Sequence, residues 1–186
     1  MDGELTHIRS RLTFEGEKTA RYFESLSSAD WEQQVYTTGS RWQVRQVLAH
    51  FISAERAYKK YITDVLNGGE GAPRDLDIDA FNEAETPPLS AIPIEDLISG
   101  FRQARAETLR LAENLEEADL TRLGYHPWFG EKELAWYLKL LYRHNTLHLK
   151  DVHKAIEVGS ALPASDNQRP GRSMDPSSAT TTDPHP

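Results

Sequence analysis

Cysteine is absent from the 186 residues. That excludes a disulfide framework, a thiolate metal site and a cysteine nucleophile. Any metal must then rest on nitrogen and oxygen ligands, and any thiol chemistry needs a thiol brought by the substrate. Basic residues are also in the minority: 21 Lys+Arg stand against 29 Asp+Glu, a formal net charge of −8. Nucleic-acid backbones and anionic membranes both call for a basic surface, so neither is expected as a partner. No apolar run approaches the ~20 residues of a membrane-spanning helix. The first stretch, Met1 to Glu17, interleaves acids and bases without an apolar core, unlike a secretory signal. A cytoplasmic location fits these absences. Strict period-two alternation is missing over any useful length, so strands are not expected.

What is present is helical periodicity, in four segments. The first carries Leu5, Ile8, Leu12, Thr19, Tyr22 and Leu26. The second carries Trp42, Val47, Phe51, Ala54, Tyr58 and Val65. The third runs from Ile94 through Leu97, Phe101, Ala104, Thr108 and Leu111 to Leu115. The fourth holds Leu134, Tyr137, Leu141 and Ala155, with histidines between them. Ser40 is placed to cap the second helix and Gly68-Gly69 to stop it. Pro73, Pro87, Pro88 and Pro93 mark residues 67–93 as a long connection, with a short helix expected over Leu76 to Ala84. Pro93 suits the first turn of the third helix. Gly124, Pro127 and Gly130 mark a loop before the fourth. The expectation is an all-α four-helix bundle over residues 1–158, with one long connection between its second and third helices. Residues 159–186 hold five of the ten prolines, five serines, three threonines and no aromatic. Such a composition cannot offset its ordering entropy by burial, so a disordered polar tail is expected there.

Seven histidines need sorting. His7 and His185 lie toward the ends and are assigned to solvent. On a helix turning ~100° per residue, His144 and His148 fall about 20° either side of Tyr137, at the centre of the apolar stripe. They are also one turn apart on that face. His153 falls on the opposite side. On the second helix, His50 lies about 60° from Val47, at the edge of the inward sector. Two imidazoles buried side by side need partners for their nitrogens, and a metal ion is one such partner. The HxxxH spacing suits two ligands of one ion, and a third histidine from a facing helix would leave positions open for water or substrate. Spacing alone leaves the common alternative standing, in which helical histidines simply bond to backbone or carboxylate groups.

Three blocks resemble the DinB-like superfamily of metal-binding four-helix bundles. Ser40-Arg41-Trp42-Gln43-Val44-Arg45-Gln46-Val47-Leu48-Ala49-His50 is similar to its W-x-v-x-x-v-l-x-H block. His126-Pro127-Trp128-Phe129-Gly130, followed by Trp136-Tyr137-Leu138, is similar to its H-P-x-f-G approach to the last helix. Arg143-His144-Asn145-Thr146-Leu147-His148 with Leu149 to Val152 is similar to its H-x-x-x-H-l-x-x-i ending. The resemblance spans about residues 5–157 and has no counterpart for the polar tail. It implies a divalent metal, usually zinc or nickel, on His50, His144 and His148. It also implies an activity drawn from thiol S-transferases, a thiol-dependent isomerase or hydrolases, with a small-molecule substrate and a low-molecular-weight thiol or water as nucleophile. A non-catalytic stress-response bundle that binds a metal or small ligand is the alternative. Asp151 could bond a ligand imidazole from behind, Glu55 could be a fourth ligand or base, and His126 with Tyr125 could line the pocket mouth. Each has an ordinary structural counterpart: a solvated Asp, a rim carboxylate, a packed turn. Trp42, Trp128 and Trp136 fit core or pocket-wall positions. Apolar residues left exposed on the first or second helix would offer a surface for a homodimer.

Overall fold

The computed structural model describes residues 3–163. Six helices follow in order: α1 (Glu4–Glu24), α2 (Ser28–Glu32), α3 (Val44–Leu66), α4 (Ile78–Ser90), α5 (Ile94–Glu113) and α6 (Leu134–Val158). A 3-10 turn at Glu117–Thr121 and two short strands, β1 (Leu123–His126) and β2 (Gly130–Glu133), separate α5 from α6. The long helices α1, α3, α5 and α6 form the bundle. α3 packs on both α5 and α6, and so does α1, so α1 faces α3 and α5 faces α6 across the diagonals. No helix is long and apolar enough to cross a membrane among the described residues.

Local chemistry sets the helix limits, with three departures from expectation. α3 starts at Val44 rather than just after Ser40. Residues 33–44 pair with themselves: Val35 N–H donates to Trp42 O (2.7 Å) and Val44 N–H to Gln33 O (3.0 Å). That pairing holds Trp42 extended, so the helix nucleates one step later, where Gln43 N–H donates to the Gln46 side chain. Ser40 instead sits in a left-handed turn between Gly39 (φ 65°) and Arg41 (φ 45°). The expected short helix exists but reaches Ser90, running through Pro87 and Pro88. Asp77 starts it by accepting from Asp79 and Ala80 N–H. The third departure is the antiparallel pair β1–β2, in register from Leu123↔Glu133 to His126↔Gly130. Four residues per strand are too few to print an alternating pattern. Gly130, at φ 70°, closes the turn in a conformation that side chains rarely adopt.

The described chain also runs past the boundary expected for the tail. Leu162 N–H donates to Val35 O and Thr37 N–H donates to Leu162 O, both at 2.8 Å. Leu162 thus clamps the backbone on either side of Tyr36. The rest of the expected tail, and His185 within it, lies outside the described residues.

The core divides into two apolar clusters along the bundle. Leu5, Ile8, Leu12, Ile62, Tyr137 and Leu141 belong to one end. Phe23, Val47, Phe51, Leu97, Phe101 and Val152 belong to the other. A polar belt separates them at mid-height. Arg105 of α5 crosses it, donating from Nε to Glu55 Oε1 (2.7 Å) and from Nη1 to Leu12 O (2.9 Å). Thr108 donates to the second Glu55 oxygen. Asn145 of α6 joins them, its amide oxygen accepting from Arg105 Nη2 and its nitrogen donating to Leu141 O, both at 3.1 Å. Gly16 of α1 makes room, since a Cβ there would lie 2.9 Å from Arg105 Cγ. The belt fixes the rotation of α3 and α6, the two helices that carry the histidines.

Candidate metal centre

His50 on α3 and His144 and His148 on α6 meet beside this belt, exposed by only 7%, 9% and 6%. Their Nε2 atoms converge: His144 Nε2 stands 2.9 Å from His50 Nε2 and 3.0 Å from His148 Nε2. Ligand nitrogens about 2.0–2.1 Å from one zinc ion lie roughly 3 Å apart, so the spacing fits a shared cation. Burial pushes all three rings away from the charged form. His144 is lowered to about 4, and His50 and His148 well below the usual histidine value, with desolvation the largest cause in each case. Neutral rings keep lone pairs available as ligands.

Hydrogen bonding settles which His148 nitrogen carries the proton. Tyr36 Oη donates to Asp151 Oδ2 (3.0 Å) and lies 2.7 Å from His148 Nδ1. With its own proton committed to the carboxylate, Tyr36 accepts from His148 Nδ1–H, and Nε2 is left as a bare acceptor facing the cluster. This is the arrangement by which proteins orient metal-binding histidines. His50 Nδ1 and His144 Nδ1 are buried without a hydrogen-bond partner among the described residues. With His148 Nε2 fixed as an acceptor, the three Nε2 atoms crowd about 3 Å apart, and a divalent cation would take a lone pair from each while the protons of His50 and His144 sit on Nδ1. The donor set therefore fits a divalent cation. The three histidines are also the group of potential ligands that the described residues bring together.

The cluster forms the floor of a pocket. Trp42 packs on the His50 ring at a centroid distance of 4.5 Å. Tyr58, Leu140 and Trp128 form apolar walls. Leu76, Ile78, Phe81 and Asn82 of the long connection, and the His126–Phe129 turn, line the rest. Asn82 faces His50 from α4.

The remaining sequence candidates take different places. Asp151 reaches His148 through Tyr36, a residue that carried no signal because it lies in an irregular loop. Glu55 is no fourth ligand: both its oxygens are taken by Arg105 and Thr108, away from the pocket. His126 lines the pocket at 2% exposure, with Nδ1 accepting from Trp128 N–H (3.2 Å) and Nε2 3.0 Å from Tyr58 Oη. Tyr125 is turned out of the pocket, under the Arg74 guanidinium. Trp42 and Trp128 are wall residues, while Trp136 is buried against His126 and Phe129. His7 and His153 are exposed.

Bundle and cluster together define a class: a four-helix bundle with a three-histidine site on two of its helices. The family model of the DinB superfamily matches residues 11–152, and the chain belongs to that superfamily. Among solved structures it is similar to YfiT from Bacillus subtilis, described as a probable metal-dependent hydrolase with an unusual four-helix bundle topology. That likeness has a TM-score of 0.67 at 18% identity and covers 86% of this chain and 91% of YfiT. It establishes the shared fold. None of the curated proteins matches the chain.

Proposed function

We propose that the protein is a metal-dependent enzyme whose His50, His144 and His148 hold one divalent cation, zinc or nickel, at the floor of a substrate pocket. The observation that carries this reading is the convergence of three neutral, buried Nε2 atoms onto one point that opens into an apolar cavity. A bound divalent cation supplies Lewis-acid activation of a water or a small thiol at neutral pH. The chain's own residues do the rest. Tyr36 and Asp151 hold the His148 ring, and the aromatic walls exclude bulk water and bind the apolar part of a substrate. Protein groups make up only three ligand positions, leaving room for substrate or nucleophile. The absence of cysteine leaves a low-molecular-weight thiol cosubstrate or water as the nucleophile, giving S-transfer or hydrolysis. YfiT's description as a hydrolase favours water among the two.

The test pairs metal analysis with turnover. Wild type is expected to carry one zinc or nickel per chain, and to hydrolyse activated aryl esters or to join a small thiol to an activated aryl halide. His148→Ala is expected to lose both metal and turnover. Turnover undiminished in His148→Ala contradicts the metal mechanism. Stoichiometric metal without turnover on either substrate type contradicts the enzymatic reading and supports a binding role.

A further inference from the structure

The His126–Tyr58 pair has a directional consequence. His126 Nδ1 accepts a hydrogen bond from the Trp128 backbone N–H, so that nitrogen carries no proton. In the neutral ring the proton then sits on Nε2, which faces Tyr58 Oη at 3.0 Å and donates to it. Tyr58 Oη is thereby used as an acceptor, and its own proton must be directed elsewhere. No other hydrogen-bond partner of Tyr58 Oη is present among the described residues. Tyr58 lines the same cavity whose floor is the histidine cluster. Burial, the largest cause, also raises Tyr58 above the usual tyrosine value, so the hydroxyl keeps its proton at neutral pH.

We propose that Tyr58 is the hydrogen-bond donor this pocket offers to its substrate, and that the substrate is a small, largely apolar molecule bearing a carbonyl-type oxygen. His126 is then a positioning residue. It acts through Tyr58, fixing which way the O–H points. The walls around this donor are Trp42, Phe81, Trp128 and Leu140, which suit an aromatic or aliphatic body. A phenol O–H aimed at a carbonyl oxygen stabilises charge that grows there when the adjacent carbon is attacked. The proposal rests on the reading that the pocket above the three histidines is the substrate site.

The experiment uses two probes of similar shape, acetophenone and ethylbenzene, with binding measured by calorimetry. The infrared stretch of the bound ketone is recorded in parallel, and metal content is measured on the same samples. Wild type is expected to prefer the ketone by about three- to tenfold, the worth of one neutral hydrogen bond. Its bound C=O stretch is expected at lower frequency than in Tyr58→Phe, where the preference disappears. In His126→Leu the hydroxyl remains but loses its fixed direction, so the preference is expected to shrink and the infrared band to broaden. An equal affinity for both probes in wild type, a preference that survives Tyr58→Phe, or failure of the ketone to bind overturns the proposal. Metal uptake that persists through any of these outcomes leaves the histidine site standing, so the two failures are separable.

Discussion

Tyr36 Oη lies 2.7 Å from His148 Nδ1 and donates a hydrogen bond to Asp151, so a loop residue and a carboxylate together set which face of His148 is left as a ligand. Groups of this kind typically contribute 10–100-fold to metal affinity. Tyr36→Phe is therefore expected to weaken zinc or nickel binding by about that factor with unchanged helix content, measured by competition with a chromophoric chelator. Asp151→Asn is expected to weaken it less, because the Tyr36 oxygen stays in place. Unchanged affinity in Tyr36→Phe would show that the hydrogen bond has no part in metal binding.

Leu162 holds the backbone on both sides of Tyr36. Leu162→Pro removes the N–H that Val35 O accepts, and should loosen Tyr36 without touching any ligand. The expected result is a several-fold loss of metal affinity with little change in thermal stability. A metal affinity equal to wild type would mean that the C-terminal pairing does not support the site.

The Glu55–Arg105 pair is buried between the two apolar clusters, at 1% and 4% exposure. Removing one partner of a buried ion pair typically costs about 3–5 kcal/mol, because the other charge is left unpaired. Arg105→Met should show this loss in urea unfolding, and the double variant Arg105→Met with Glu55→Leu should recover part of it. Glu55→Gln separates this structural role from ligation: the folded fraction should still take up metal at the wild-type stoichiometry. Loss of metal from folded Glu55→Gln would restore Glu55 as a ligand.

Acid sensitivity follows from His126. Burial first, then the Lys132 charge, lower it to about 4, whereas in the unfolded chain it titrates near about 6.5. The folded state thus keeps the ring neutral where the unfolded chain takes up a proton. Its contribution to stability is complete above pH ~6.5 and falls as pH drops toward about 4, by about 1.4 kcal/mol per pH unit. His144 is lowered in the same direction, so the metal-free protein should lose stability over the same range of falling pH. Urea midpoints at neutral pH and at pH ~5 test this, and His126→Gln should flatten the dependence by one imidazole. An unaltered slope in that variant would contradict the role given to His126.

The long helices and the HxxxH pair were legible because periodicity over twenty or more residues averages out local noise. His144 and His148 stand at the centre of a stripe that the fold buries. His50 was harder to read, since it sits at the edge of its stripe, and packing against Trp42 draws it inward. Tyr36 could not be found from local pattern, because Leu162, far along the chain, fixes its position. Tyr58 showed as an apolar-face residue, yet its chemical role depends on a proton held by His126 in a distant turn. Glu55 looked like a rim carboxylate only until Arg105 arrived from the facing helix. The β1–β2 pair escaped for want of length. What sequence hid, in each case, was a contact between elements rather than a property of one.

The convergence of the three Nε2 atoms is tested most directly by metal titration of purified, metal-stripped protein, with mass spectrometry of the native complex as the readout. One zinc or nickel ion per chain is predicted for wild type, and none for His144→Ala or His148→Ala under the same conditions. Wild-type protein that takes up neither ion, or alanine variants that take up as much as wild type, would contradict a metal centre at His50, His144 and His148.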